Sequence, residues 1–387
     1  MGELAEIVRG ASPRPISDPK WFDNNSNVGW LRIADVTAQD GRIRYLEQKI
    51  SELGQEKTRV IKTPHLLLSI AATVGKPVIN YVPTGVHDGF LIFLNPKFNI
   101  LYTFWWLEMF REKWNKYGQP GSQVNLNSDL VKNQVINIPN EKEQEKISSF
   151  LEALDKIITL HQHKLEKLKL AKKALLQKLF PKNGSQFPEI RFKGFTDAWE
   201  QCKLSDISTK VTTKNVNVQY TETLTNSAEQ GIISQVDFFD KEISNKDNIN
   251  GYYIVDNNDF IYNPRISTLA PVGPINRNKL NRTGIMSPLY TVFRSSNVDL
   301  GFLEWYFQSS HWHRYMKLNG DSGARADRIA IKDSTFFEMP IKISVNIKEQ
   351  VLIGETLEKF NQYITLHQRK LDKLQDVKKG LLQKMFV

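Results

Sequence analysis

Cysteine is almost missing from this chain: Cys202 is the only one in 387 residues. A single thiol excludes an intramolecular disulfide and any zinc finger built on two or more thiolates, and it fits a reducing compartment. Long apolar runs are missing too. No stretch approaches the about eighteen uninterrupted apolar residues of a membrane span, and Met1-Gly-Glu-Leu-Ala-Glu shows no basic segment leading into an apolar core. The expectation is a cytoplasmic protein without membrane contact. Phosphate-cradling G-x-G-x-x-G and G-x-x-x-x-G-K-[ST] loops are absent. So is the Asn/Asp-Pro-Pro-aromatic motif that grips an extruded adenine; Asn263-Pro-Arg lacks the second proline and the aromatic. These absences agree with the expectation of no catalytic residues, no metal and no bound cofactor in this chain, its chemistry lying in another. Acidic residues are in deficit, 42 against 52 Lys and Arg, and the net charge of +10 points to a polyanionic partner, nucleic acid before an acidic membrane surface.

What is present is a repeat. Ile158-Thr-Leu-His-Gln-His-Lys-Leu-Glu-Lys-Leu returns as Ile364-Thr-Leu-His-Gln-Arg-Lys-Leu-Asp-Lys-Leu, 206 residues later, and sixteen of the twenty-three positions from Ile158 to Phe180 match Ile364 to Phe386. So long a period means two large homologous units, not a solenoid. Leu151, Leu154, Ile158, Leu165, Leu168, Leu175 and Leu179 follow a 3-4 spacing, and Leu357, Phe360, Ile364, Leu371, Leu374, Leu381 and Met385 repeat it. Each set predicts a long helix with a coiled-coil seam. The polar interruptions repeat as well, His161 with His367 and Lys172 with Lys378, where polar seam residues would set register and partner choice.

Pro181, Asn183, Gly184 and Ser185 stop the first helix and open a linker. The expected division is a globular segment over 1–139, a long helix over 140–181, a linker over 182–198, a second globular segment over 199–345 and a second long helix over 346–387. The segments before each helix are rich in aromatic and β-branched residues cut by turn residues about every eight to twelve positions, predicting mixed α/β structure with short strands. Leu66 to Val74 reads as a core strand and Ile100 to Phe110 as an amphipathic helix. Faint echoes link the two segments: Ser69 to Gly75 with Ser267 to Gly273, and Gly121-Ser-Gln with Gly323-Ala-Arg. The fold class expected is therefore α+β, two α/β recognition domains separated by two long antiparallel coiled-coil helices with pseudo-twofold symmetry. Antiparallel pairing needs no long crossover, and about 35 to 40 helical residues span roughly 50 to 60 Å.

This layout resembles the specificity (S) subunits of Type I restriction-modification systems. The residues that carry the resemblance are the Glu143-Gln144 and Glu349-Gln350 pairs opening the helices, the Lys-Leu-x-Lys-Leu and Leu-Leu-Gln-Lys helix ends, and Pro188-Glu-Ile-Arg-Phe-Lys-Gly-Phe-Thr-Asp-Ala-Trp-Glu-Gln before the second recognition segment. Met1-Gly-Glu-Leu-Ala matches Leu204-Ser-Asp-Ile-Ser, so these residues hold no first-copy counterpart of the Arg191 to Lys203 lead-in. The resemblance implies a non-catalytic subunit with two target recognition domains, each reading half of a split double-stranded DNA sequence. It also implies two modification (M) subunits docked on the helices, and restriction (R) subunits as further members. S-adenosylmethionine, ATP and Mg would then be bound by those partners.

Phosphates call for Lys and Arg, and base edges call for side chains with matched donors and acceptors. Loops holding both kinds are the candidates for DNA contact. In the first segment they contain Arg9, Arg14, Lys20, Trp21, Lys76, Tyr117, Gln119, Ser122 and Gln123; in the second they contain Lys210, Thr213, Lys214, Arg265, Ser267, Ser322, Arg325 and Arg328. The loops at 121–123 and 323–325 stand out because they recur at corresponding places. The helix lysines Lys164, Lys167, Lys173, Lys370, Lys373 and Lys379 read as a solvated flank.

Rival readings rest on less. Asp40, Glu47 and Lys49 fit the loose Asp…Glu-x-Lys spacing of a metal-dependent nuclease, but the second unit has no equivalent. His161 and His163, two apart on a helix, cannot share an ion, and His311 with His313 has no third ligand nearby in sequence. A stand-alone bipartite DNA-binding regulator would need the same two domains and no docked enzyme.

Overall fold

The computed structural model of the chain describes all residues except 71–72, 118–125, 183, 240–245, 322–326 and 387. By compactness the chain divides into Met1–Gln162 with Arg369–Val387, here unit 1, and His163–Gln368, unit 2. The division passes through both long helices. Each unit therefore holds one recognition segment, part of the first helix Glu141–Lys178 and part of the second helix Ile347–Met385.

In unit 1 the strands Glu6–Arg9, Phe90–Leu94, Leu66–Ser69, Pro77–Asn80 and Arg42–Ile43 form one sheet in that order, antiparallel except for the last pair. Register places Leu67 opposite both Ile92 and Val78. The central strands read Leu-Leu-Leu-Ser and Phe-Leu-Ile-Phe-Leu, and both of their faces are covered, which is why their sequences do not alternate. A smaller sheet joins Gly29–Trp30, Thr84–Val86 and Arg59–Ile61.

The helix Ile100–Phe110 begins where the Asn99 side chain accepts from the amides of Leu101 and Tyr102. Its Tyr102, Phe104, Trp105, Trp106 and Leu107 are all buried. It is apolar nearly all round instead of amphipathic, because its side chains enter one cluster with sheet residues Leu66 and Phe93 and with Leu151 and Phe386 of the long helices.

Unit 2 repeats this plan. Ser208–Lys210, Thr291–Ser295, Phe260–Tyr262 and Ile275–Arg277 form an antiparallel sheet in that order. Its aromatic helix Leu300–Gln308 is capped by Asp299, whose side chain accepts from the Phe302 amide. The strands Glu200–Lys203 and Pro340–Ile343 pair beside the start of the second long helix.

The long helices run antiparallel within each unit. In unit 1, Lys378 bonds Asp155 while Leu382 and Met385 pack in one cluster with Ile147 and Leu151. In unit 2, Lys172 bonds Asn361 at 2.8 Å while Leu175 and Leu179 share a cluster with Ile353 and Leu357. Leu151, Leu154, Ile158 and Leu371 of the predicted seam are buried in unit 1, with Leu374 half-buried; in unit 2, Leu165 and Leu357 are buried and Leu168, Phe360 and Ile364 half-buried.

The Glu-Gln pairs that open the helices prove to be tethers. Gln144 accepts from the Asn99 amide at 2.9 Å and donates to the Pro139 carbonyl; Gln350 accepts from the Asp299 amide at 2.9 Å and donates to the Ser344 carbonyl. Each glutamine thus ties a long helix to the cap of its unit's aromatic helix. The glutamates differ. The Glu349 side chain is wholly buried, held by Arg191 at 2.7 and 3.0 Å, by the Trp199 indole N–H at 3.1 Å and by the Ser344 hydroxyl. Glu143 is exposed.

A carboxylate buried against a guanidinium is costly to remove because its partner is left uncompensated. Glu349→Ala should therefore lower unfolding stability by about 3 kcal/mol. Glu143→Ala should change it by less than about 0.5 kcal/mol. Denaturant titration of both variants checks the pair of values.

Candidate nucleic-acid interface

Three of the residues expected to touch DNA converge in unit 2. Pro264–Ile266 and Asp327–Ile329 run antiparallel, with the Ile266 amide donating to Asp327 and the Ile329 amide to Pro264, both at 2.9 Å, so Arg265 and Arg328 lie directly opposite one another. Residues directly opposite in such a pair carry their side chains on the same face, about 5 Å apart. Both arginines and Ser267 are exposed and line a groove of about 530 Å³.

The groove's inner wall is built from asparagines. Asn226 donates to the Ile261 carbonyl at 2.7 Å and accepts from Asn276 at 2.6 Å; Asn263 donates to the Asn226 carbonyl at 2.9 Å and accepts from the Arg265 amide at 3.0 Å. Buried amides satisfied on both sides make a rigid wall. Gly273, at φ +82°, is needed here, since a Cβ would come within 2.1 Å of the Asn263 carbonyl oxygen.

In unit 1 a basic surface gathers around Asp88. The Ser12 hydroxyl donates to Asp88 at 2.8 Å, the Arg14 guanidinium lies at 3.5 Å, and Arg9 donates to the Asp88 carbonyl at 2.6 Å. The Ser12 bond and the charge of Arg9 hold the Asp88 carboxyl below the usual carboxylate range. Arg59 adds a bond to the Arg9 carbonyl at 2.8 Å. Gly10 permits this fold-back, because a Cβ there would fall 2.1 Å from the His87 carbonyl oxygen. Beside the loop lies a cavity of about 680 Å³ lined by Arg14, Arg32, Trp30, Ile33 and His87. Burial lowers the pKa of His87.

Other expected contacts are engaged elsewhere. Trp21 is buried and its indole N–H donates to Pro15, while Lys20 lies over its ring at 4.5 Å and pairs with Asp18 at 2.9 Å. Lys76 is held between Asp40 and Glu108, at 2.6 Å from each. Lys210 is bonded to Asp333. Thr213 and Lys214 are exposed, and the Thr213 carbonyl accepts from Ile254. Gln119, Ser122, Gln123, Ser322 and Arg325 lie outside the described residues, as does the side chain of Tyr117.

Among the described residues no three His, Cys, Asp or Glu side chains are grouped to hold a metal ion. Asp40 pairs with Lys76, and Glu47 with Arg32 at 3.4 Å. Burial takes the pKa of His313 down to about 4 and that of the Cys202 thiol up to about 11, making both inert near neutrality. No helix among the described residues is long and apolar enough to cross a membrane.

The sequence offered no signal for Asp88 or Arg59 as organisers of the first surface, nor for two apolar pairs on the helices. Ile157 and Leu160 are 45 % and 60 % exposed; their counterparts 206 residues on, Tyr363 and Leu366, are 57 % and 46 % exposed.

Residues 1–170 match the family described as the Type I restriction modification DNA specificity domain. Over the whole chain the fold is similar to that of the Type-I restriction-modification S subunit from M. genitalium. Identity is 12 %, the TM-score is 0.57, and the match covers 100 % of this chain and 94 % of that one. A structure described as the basis of complex assembly and conformational transition of the type I R-M system matches with 14 % identity and a TM-score of 0.53, covering 99 % and 95 %. The HsdS subunit from Thermoanaerobacter tengcongensis matches with 16 % identity and a TM-score of 0.47, covering 100 % and 95 %. At these identities the first two likenesses, with TM-scores above 0.5, are of fold alone.

The Asp88 side chain organises the Arg9–Arg14 loop through Ser12 and Arg14, so Asp88→Ala should free the loop without removing positive charge. Affinity for duplex DNA carrying the recognised site should fall about tenfold. Binding to duplexes altered in each half-site in turn should place that loss in one half only.

Proposed function

We propose that the chain belongs to the Type I restriction-modification DNA specificity family, whose model matches residues 1–170, and that unit 1 and unit 2 each read one half of a split double-stranded DNA site. In this reading its role is DNA-sequence specificity, and it is non-catalytic. The basic surface at Arg9 and Arg14 would serve one half-site and the Arg265–Arg328 groove the other. The two surfaces are organised differently, one around the carboxylate of Asp88 and the other over a wall of asparagines, as expected of readers with different target sequences.

Modification subunits supply the chemistry in this reading. One copy docks on each unit, bringing S-adenosylmethionine, and restriction subunits with ATP and Mg join them in the cytoplasm. The observation that supports two identical partners is the repeated apolar pair, Ile157 with Leu160 in unit 1 and Tyr363 with Leu366 in unit 2. Large apolar side chains held in water at equivalent places on two repeats favour covered interfaces. A stand-alone regulator would have no use for them.

Native mass measurement of the co-expressed complex tests this. Wild type should carry two modification subunits. Leu160→Asp should lose one, Leu366→Asp the other, and the double variant both, because each buried aspartate costs several kcal/mol. Full occupancy in the double variant, or tight site-specific DNA binding by the chain alone, contradicts the proposal.

A further inference from the structure

The Arg265–Arg328 groove carries more chemistry than phosphate neutralisation requires. Resting on the proposed DNA reading, we infer that this groove selects a G·C pair in the half-site read by unit 2, with Arg265 and Arg328 as the specificity-determining donors to guanine. An arginine fork matches the O6 and N7 acceptors on the major-groove edge of guanine, a pattern no other base presents.

Three features set this surface apart from a backbone contact. First, the arginines are available. Among the described residues Arg265 has no ion-pair partner, and the carboxylate of Asp327 is 4.0 Å from Arg328 with both groups about half exposed. Second, the groove also contains Glu229. A carboxylate repels phosphate, yet it accepts well from the N4 amino group of cytosine, so Glu229 beside the arginines suits the two edges of one pair. Third, the rim carries Leu269 and Leu289, 69 % and 64 % exposed, which suit base methyl groups and stacked edges better than a hydrated phosphate.

Geometry completes the assignment. The backbone pairing of Pro264–Ile266 with Asp327–Ile329 fixes the spacing of the two guanidinium stems, and the asparagine wall fixes the strand end that carries Arg265. A backbone fixed in advance leaves only the ordering of the two arginine side chains to be lost on binding.

The test uses the full chain complexed with its modification subunit and a duplex library randomised across both half-sites, read by sequencing of the bound fraction. Wild type should demand guanine at one position or two neighbouring positions of one half. Arg265→Ala with Arg328→Ala should relax that demand about ten- to a hundredfold and leave the other half-site unchanged. Arg265→Lys with Arg328→Lys keeps the charge and loses the fork, so it should relax the same positions while overall affinity holds. Far-ultraviolet circular dichroism should be unaltered in both, since the side chains are exposed. A uniform loss across all sequences, or a guanine preference that survives both double variants, overturns the assignment alone. A wild-type complex with no sequence preference overturns the DNA reading beneath it.

Discussion

One interaction, made once in each unit, fixes a recognition segment to the paired helices: a lysine from a helix seam laid over a tryptophan of the aromatic helix. Lys378 lies 4.6 Å from the ring of Trp105, and Lys172 lies 4.5 Å from the ring of Trp305. An ammonium held against an indole face away from water contributes up to about 2 kcal/mol. Its position matters more than its energy, because the same nitrogen also bonds the other long helix, through Asp155 in unit 1 and Asn361 in unit 2. Three elements therefore meet at one charge. Burial lowers the pKa of Lys172, opposed by the charges of Glu358 and Glu304. In unit 1 the same place is more ionic, with Arg42 bonded to Glu152 and 3.8 Å from Asp155.

From that anchor the division of labour follows. The aromatic helices sit under the sheets and over the helix seams, so their side chains are constrained on every face and the two units keep the same plan. The loops at the far edges of the sheets are constrained only by their own hydrogen bonds, and there the units part. Unit 1 organises an arginine loop around one carboxylate, Asp88, while unit 2 organises an arginine pair over a wall of asparagines. A scaffold repeated by packing in this way carries two surfaces whose chemistry differs.

Much of this was legible in the sequence. The leucine spacing marks both long helices, and the polar residues at Lys172 and Lys378 mark the anchor, although their repetition pointed to register and not to the tryptophans they touch. The echo between Gly75 and Gly273 is a true backbone equivalence: both have positive φ, +77° and +82°, two residues before a strand. What could not be read depends on distant pairing. Arg265 and Arg328 are 63 residues apart and become neighbours only through a short backbone ladder. Glu143 and Glu349 are alike in sequence, yet one is in water and the other is buried under Arg191 and Trp199. The helix Ile100–Phe110 looked amphipathic because Glu108 interrupts it, but Glu108 is neutralised by Lys76 and the helix is enclosed.

The central claim is that equivalent anchors carry two independent readers. Its most direct test is to map the methylated bases in cells carrying this chain with the proposed modification partner, then to repeat the map after residues 199–345 are exchanged for those of a relative. A new sequence in one half of the site, with the other half retained, is the predicted result. A change in both halves, or in neither, would contradict the account.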